Sequence, residues 1–496
     1  MLFNSLQFLL FFVVVTLAYY SLPWRGRWVL LLLASCYFYM VFVPAYILIL
    51  FATIAIDYAA GVWIEKAEGK NRRLLLIISL ISNIGILAFF KYFGFFTLNF
   101  EALFEGLGLP NVAQGIDNLS LRLLNKVLVL FGQAPVASFR VSNTFLPIGL
   151  SFHTFQAMSY TIEVYRGTQK AERHFGIYAL YVMFYPQLVA GPIERPQNVM
   201  WQYHSYFRYD FENLKAGLMQ MAWGFFKKVV IADRLALVVD AAYNHVSEQN
   251  GLTLLVATLF FTFQIYCDFS GYSDIAIGAA RVMGFTLMEN FHTPYAARSI
   301  SDFWRRWHIS LSTWFRDYLY IPLGGNRVGL TRQFFNQFFV FMVSGLWHGA
   351  KWTFVIWGAL HGFYQVSARI RDRWMQRNGI QPPENQRWYQ ALQVLSTFSL
   401  VMLTWVFFRA NTLRDAFDVL AGIFSFSWAD SITSPLNGSE MAFSVGLVGL
   451  MLAKEKFLFV IPTRNTAWFA GVFIALAALC YFFGVFTSNQ FIYFQF

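Results

Sequence analysis

Two histidines stand where histidines are costly. His348 lies in FMVSGLWHGAKW, residues 341–352, between two apolar runs and flanked by Gly345 and Gly349. An ionisable group at bilayer depth costs a few kcal/mol, so it faces a bundle interior or a cavity. There an imidazole is suited to take a proton from a hydroxyl. The alternative is a structural histidine hydrogen-bonded to a neighbouring helix. Flanking glycines suit close substrate approach and close helix packing equally well. His308 lies in DFWRRWHISLSTWFRDYLYIPLGG, residues 302–325. At helical spacing Trp304, Trp307 or His308, Leu311, Phe315 and Tyr318 share one face, and Arg305, Arg306 and Arg316 fall largely elsewhere. The pattern predicts a strongly amphipathic helix, too charged to cross a bilayer simply. It is either an interfacial helix with arginines on headgroups or a re-entrant segment lining a cavity for an anionic cofactor.

The other polar groups in apolar surroundings rank below these. Asp268 and Asp274 lie in QIYCDFSGYSDIAIG, residues 264–278. Buried ion pairs with the arginines after position 298 are the expected arrangement, and direct acid–base chemistry is the alternative. His153 and Glu194 read as structural or cavity-lining, and His361 as a support for His348. Cys36, Cys267 and Cys480 are odd in number and lack metal-ligand spacing, so neither disulfides nor a metal are expected. The C-terminus, TSNQFIYFQF, follows a last apolar run. By composition it is an aromatic anchor at an interface. Among its last six residues, FIYFQF, Tyr493 is the one side chain able to act as a nucleophile.

The elements that position these groups are helices in a bilayer. The 496 residues are 57% hydrophobic and only 13% charged, too few charges to cover a water-facing surface. The net charge of +11 sits in short clusters between apolar runs, which reads as topology-setting loops rather than nucleic-acid binding. The first run is a retained helix, not a signal peptide, because Arg25 and Arg27 follow where a cleavage site would be. Apolar runs of spanning length give about eleven crossings in one polytopic domain, 1–496. Residues 252–285 read as two pieces, and 95–108 and 119–132 as weaker interfacial helices or an extra hairpin. Lys66–Arg73, Arg369–Arg377 and Lys454–Arg464 mark cytoplasmic loops, which puts both termini on the outer face. The fold class expected is all-α and membrane-integral, with re-entrant or interfacial helices around a central funnel or tunnel.

Longer motifs then narrow the reading. FLPIGLSF (145–152), AGPIERP (190–196), YCDFSGYSDIAIG (266–278), MENF (288–291), SISDFWRRWHISLSTWFRDYLYIPLGGNR (299–327) and GLWHGA (345–350) together resemble the membrane-bound O-acyltransferase family, in its bacterial polysaccharide branch. The resemblance implies a catalytic core in 299–350. It puts the family's catalytic histidine on His348 and a second one on His308. It also implies a C-terminal motif, here 487–496, whose tyrosine falls on Tyr493 and accepts the acyl group. It implies a thioester donor, acetyl-CoA or an acyl carrier. Donor contacts are expected from Asp302, Trp304, Arg305, Arg306, Arg316, Asp317 and Trp347. It further implies a polysaccharide acceptor outside the bacterial inner membrane, served by a periplasmic SGNH-hydrolase-like partner. The stretch 100–143 reads as an insertion, and His153 stands where the family is expected to have tyrosine. Acylation of a lipid or protein is an alternative within the same chemistry. A transporter is the alternative outside it, although no internal repeat is visible.

Overall fold

Glycines allow close helix contacts among the described residues of this chain. The computed structural model describes residues 1–136, 149–188, 191–457, 463–486 and 491–492, and among them every regular element is helical. Five described helices are long and apolar enough to cross a membrane, within Tyr46–Lys66, Gly69–Gly106, Gly251–Val282, Arg387–Arg409 and Thr466–Phe483. The chain forms two compact units, one of Met1 and residues 5–209, the other of residues 2–4 and 210–496.

In the first unit, helix Tyr46–Lys66 runs against Gly69–Leu87 and Leu150–Arg166. Asp57 is fully buried there and accepts hydrogen bonds from Ser79 Oγ (2.6 Å) and Asn83 Nδ2 (2.8 Å). A buried carboxyl held by neutral donors ties these two helices together, a structural use of a polar group. The weak stretches seen in the sequence are both helical, Phe93–Gly106 and Pro110–Leu130, and pack on each other. His153 is buried on Leu150–Arg166, in the first unit, whereas His308 and His348 belong to the second.

The second unit is organised by Gly251–Val282. This is one continuous helix of 32 residues rather than the two pieces expected. Its length, about 48 Å, exceeds the hydrocarbon thickness. Nothing interrupts it because Gly271 and Gly278 do not break the helix but pack against Gly217 and Gly224 of helix Phe211–Phe225. A Cβ on Gly271 would come 2.8 Å from the Gly224 carbonyl oxygen, and one on Gly278 2.6 Å from that of Gly217. Only bare backbone allows this approach. Phe211–Phe225 then runs through a π-helical stretch, Phe226–Ala232, into Asp233–Tyr243.

A second glycine crossing holds helix Leu330–His348 against Trp352–Arg377. A Cβ on Gly345 would lie 2.3 Å from the Phe354 carbonyl oxygen, and one on Gly358 2.3 Å from that of Phe341. The crossing lies one turn from His348, the last residue of its helix, so it fixes where the imidazole stands.

Candidate active site

The amphipathic helix expected over 302–325 is broken. Ile300–Arg306 ends, His308 adopts a left-handed backbone with φ 43°, and Ile309–Phe315 begins anew before a π-helical turn at Arg316–Tyr320. A non-glycine residue there is strained and needs support. Asn290 supplies it from the MENF motif. Its carbonyl oxygen accepts from Ile309 N (2.9 Å). Its Oδ1 accepts from Ser310 N (3.2 Å) and Ser310 Oγ (2.9 Å), and lies 3.1 Å from His308 Nδ1. The support comes from a distant loop, so helical periodicity alone could not reveal the break. His308 is fully buried, edge-on to Phe269 at 4.6 Å between centroids. It sits between two helices of seven residues, too short to cross a bilayer. Burial pushes its pKa down to about 3, which leaves a neutral ring.

His348 is 4% exposed and boxed by aromatic rings: Trp347 at 4.9 Å, Trp357 at 5.0 Å and Phe408 at 5.4 Å. A chain of ring contacts links the two histidines' surroundings. It runs from Trp307, next to His308, to Trp405 (5.1 Å), to Trp357 (5.9 Å) and so to His348. His361 joins this cluster, with Nδ1 accepting from Trp304 Nε1 at 3.3 Å and its ring 5.0 Å from Trp357. It therefore braces Trp304 and Trp357, the ring against His348.

A slot of about 160 Å³ runs beneath this cluster. Trp304, Leu311, Phe315, Val340 and Phe341 make it apolar, Ser312, Gln337 and Ser344 add hydroxyl and amide groups, and Arg316 and Arg369 supply positive charge. Ser344 stands one helical turn before His348, on the same face. Of the residues expected to contact a donor, Trp304 and Arg316 line the slot. Arg305 is exposed, Asp302 is engaged by Arg306 (2.9 Å), Asp317 by Arg316 (2.7 Å), and Trp347 packs on His348. Sequence reasoning missed Gln337, Ser344 and Arg369. Gln337 and Ser344 are polar residues seven apart in an apolar run, a readable signal. Arg369, expected in a cytoplasmic loop, is helical.

The partners expected for Asp268 and Asp274 need correction. Lysines, not arginines, hold them. Lys228 Nζ lies 2.5 Å from Asp268 and 2.8 Å from Asp233, and Lys227 Nζ lies 2.6 Å from Asp274. Both lysines sit on the π-helical stretch, close to Gly251–Val282 because of the glycine crossing. Two lysines inside an apolar run were the overlooked signal. Asp268 has a further partner: its Oδ2 accepts from the backbone N–H of Ile492 at 2.8 Å. Phe491 and Ile492 are buried, and Phe491 stacks near Tyr272 (4.3 Å) and Phe269 (5.6 Å). These two tail residues are core residues of the second unit, not an interfacial anchor. Tyr493 lies outside the described residues. Among those described, no three His, Cys, Asp or Glu side chains gather as a metal site would need.

Comparison with known proteins decides the family. Residues 173–410 match the model of MBOAT, the membrane-bound O-acyltransferase family. A probable alginate O-acetylase of Azotobacter vinelandii is 38% identical over 456 residues, which cover 91% of this chain and 83% of the relative. The chain belongs to the membrane-bound O-acyltransferase family. It is accordingly an O-acyltransferase and a multi-pass membrane protein, and its chemistry requires an acyl donor. A probable alginate O-acetylase of Pseudomonas aeruginosa is also 38% identical, over 86% of this chain and 75% of its own. The peptidoglycan O-acetyltransferase of Helicobacter pylori is 35% identical, over 79% and 73%.

Proposed function

We propose that this O-acyltransferase moves an acetyl group from a cytosolic thioester, acetyl-CoA or an acyl carrier, across the bacterial inner membrane to a hydroxyl of an extracytoplasmic polysaccharide. The observation that carries the reading is the apolar slot, with Arg316 and Arg369 at its lining and Ser344 one turn below the aromatic box around His348. Acyl transfer brings a thioester carbonyl against a hydroxyl with a pKa of about 10 or more, so a base must take the proton as the C–O bond forms. His348 is that base. Its aromatic box excludes water, which protects the thioester from hydrolysis. The slot admits the slender thioester arm, and the two arginines meet its phosphates with charge-assisted hydrogen bonds. His308, neutral and held in a strained turn with its Nδ1–H on Asn290 Oδ1, presents Nε2 as an acceptor and orients the thioester against the attacking hydroxyl.

Tyr493 is the acyl relay. Its hydroxyl attacks the thioester, the thiol leaves carrying the proton, and the tyrosyl ester then passes the acetyl to the acceptor. Burial of Phe491 and Ile492 and the Asp268 bond to Ile492 N support a tail docked inside the protein. Both termini lie on the outer face by the positive-inside rule. There a periplasmic SGNH-hydrolase-like subunit completes transfer to the polymer. The printed substrates of the relatives, alginate and peptidoglycan, both fit an extracytoplasmic acceptor.

The test is reconstitution. The purified full chain in sealed vesicles, given radiolabelled acetyl-CoA on the Arg369 side, should release free CoA and leave label on protein or added polysaccharide. Donor turnover with no labelled acceptor, under any acceptor tried, would defeat the reading.

A further inference from the structure

One helix face leads from His348 into the donor slot. On Leu330–His348, the residues Gln337, Phe341, Ser344 and His348 fall at helical spacing and share that face. Gln337, Phe341 and Ser344 line the slot. Helix Trp352–Arg377 carries a second stripe, Trp357, His361, Gln365 and Arg369, each one turn from the last. Trp357 packs on His348, and Arg369 lines the slot. Gln337 and Gln365 meet between those two ends.

The Gln337 amide is only half used. Its Nε2 donates to Gln365 Oε1 at 3.1 Å, and the same oxygen accepts from Ser301 Oγ at 2.6 Å. Both lone pairs of that buried oxygen are then taken, which fixes the end of Gln337 that faces it. The other end, Gln337 Oε1, is buried and meets no donor among the described residues. A buried acceptor without a partner is uncommon, because it gives up water and gains nothing in exchange. Gln337 borders the slot, so an occupant of the slot can supply the N–H.

The position of Gln337 along its helix says which N–H this is. Gln337 precedes His348 by eleven residues, about 16 Å along the axis. A hydroxyl attacking between the imidazole and a thioester carbon takes up roughly 6 Å of this, one hydrogen bond and one attack distance, and leaves about 10 Å for the arm behind the thioester. A pantetheine arm has an inner and an outer amide N–H. At about 1.2 Å per bond in an extended chain, they lie roughly 5 and 10 Å from the thioester carbon. The outer one matches.

We infer that Gln337 is a specificity-determining residue for the donor, its Oε1 accepting the outer amide N–H of a pantetheine arm. The inference rests on the acyl-transfer reading in taking the slot's occupant to be a thioester donor. Acetyl-CoA and an acyl carrier present the same arm. The contact measures the arm's length: with the outer amide on Gln337, the thioester carbon comes level with a hydroxyl beside His348. Arg369, one turn beyond Gln365, is left for the phosphate end. Gln365 is a positioning residue, since it holds Gln337 by the Nε2 end and leaves Oε1 for the ligand.

The test is binding of CoA, which carries the arm but no acyl group to transfer, by the full chain in nanodiscs. Two analogues are compared with it, one with an ester oxygen in place of the inner amide N–H and one with an ester oxygen in place of the outer. Wild type should bind the outer ester about tenfold more weakly than CoA, and the inner ester about as well as CoA. Gln337→Leu should lose about tenfold toward CoA and the inner ester and nothing toward the outer ester. Equal losses toward all three ligands, as a merely structural glutamine would give, overturn the contact, and so does unchanged CoA binding by Gln337→Leu. Weaker wild-type binding of the inner ester alone overturns the choice of the outer amide. The wild-type comparison of the two esters decides the matter even where the variant fails to fold. Holo-acyl carrier protein run beside CoA tells the two sources of the arm apart: the source is the one that binds and shows the Gln337→Leu loss, and binding of both without that loss overturns the contact. A chain that binds with this preference but transfers no acyl group sinks the transfer reading and leaves the contact standing.

Discussion

Gly345→Ala is the sharpest probe of how the fold positions the chemistry. A Cβ at Gly345 would sit 2.3 Å from the Phe354 carbonyl oxygen and 3.2 Å from Gly358 Cα. Ordinary contact begins at 3.4 Å, so the helices must separate by about 1 Å, the difference between 3.4 and 2.3. The close neighbour is backbone in a helix and cannot rotate away. His348 is three residues on, so the displacement reaches the imidazole nearly undiminished. A misplacement of this size costs on the order of 10²-fold in rate, and the overpacking costs about 1–3 kcal/mol of stability. The assay is transfer of labelled acetyl by the variant in detergent or vesicles, beside a thermal-melt measurement. Gly446→Ala and Gly449→Ala, which meet nothing within 4 Å, are the matched controls and should keep full activity. A folded Gly345→Ala protein with wild-type turnover would refute the claim that this crossing sets the position of His348.

Three further outcomes are expected. Asp268→Ala strips a buried lysine of one of its two carboxylates and frees the Ile492 N–H, so it should cost about 3–5 kcal/mol and lower the melting temperature; an unchanged melting curve would contradict the buried network. If the slot binds the donor as proposed, Arg369→Gln should raise KM for acetyl-CoA by about tenfold with little change in kcat, because Arg369 lines the slot at its charged side and not beside His348; a loss confined to kcat would speak against a donor-binding role. Tyr493→Phe removes only a hydroxyl and should abolish label transfer to polymer while leaving insertion intact, and full activity would exclude the relay.

The helical membrane class was legible because composition leaves no other solvent for 57% apolar residues. His348 was legible because an ionisable group between apolar runs and glycines is conspicuous. The broken turn at His308 was not, because its support is Asn290, a residue 18 positions away that helical periodicity cannot see. Lys227 and Lys228 were visible as charges in an apolar run, yet their pairing with Asp274 and Asp268 depends on two glycines letting the helices approach. The burial of Phe491 and Ile492 went unread because an aromatic tail has the same composition in a core as at an interface. The continuity of Gly251–Val282 was hidden for a related reason: glycine and serine at 270–273 look like a break until the partner helix is known.

The central claim is that His348 takes the proton in acyl transfer. The most direct measurement compares initial acetyl-transfer rates of wild type, His348→Ala and His348→Gln, reconstituted at equal amounts and with matched melting curves. A positioned base contributes roughly 10²–10⁴-fold, so both variants should fall by that factor or more while still binding acetyl-CoA. Either variant retaining transfer within a few-fold of wild type would contradict the account.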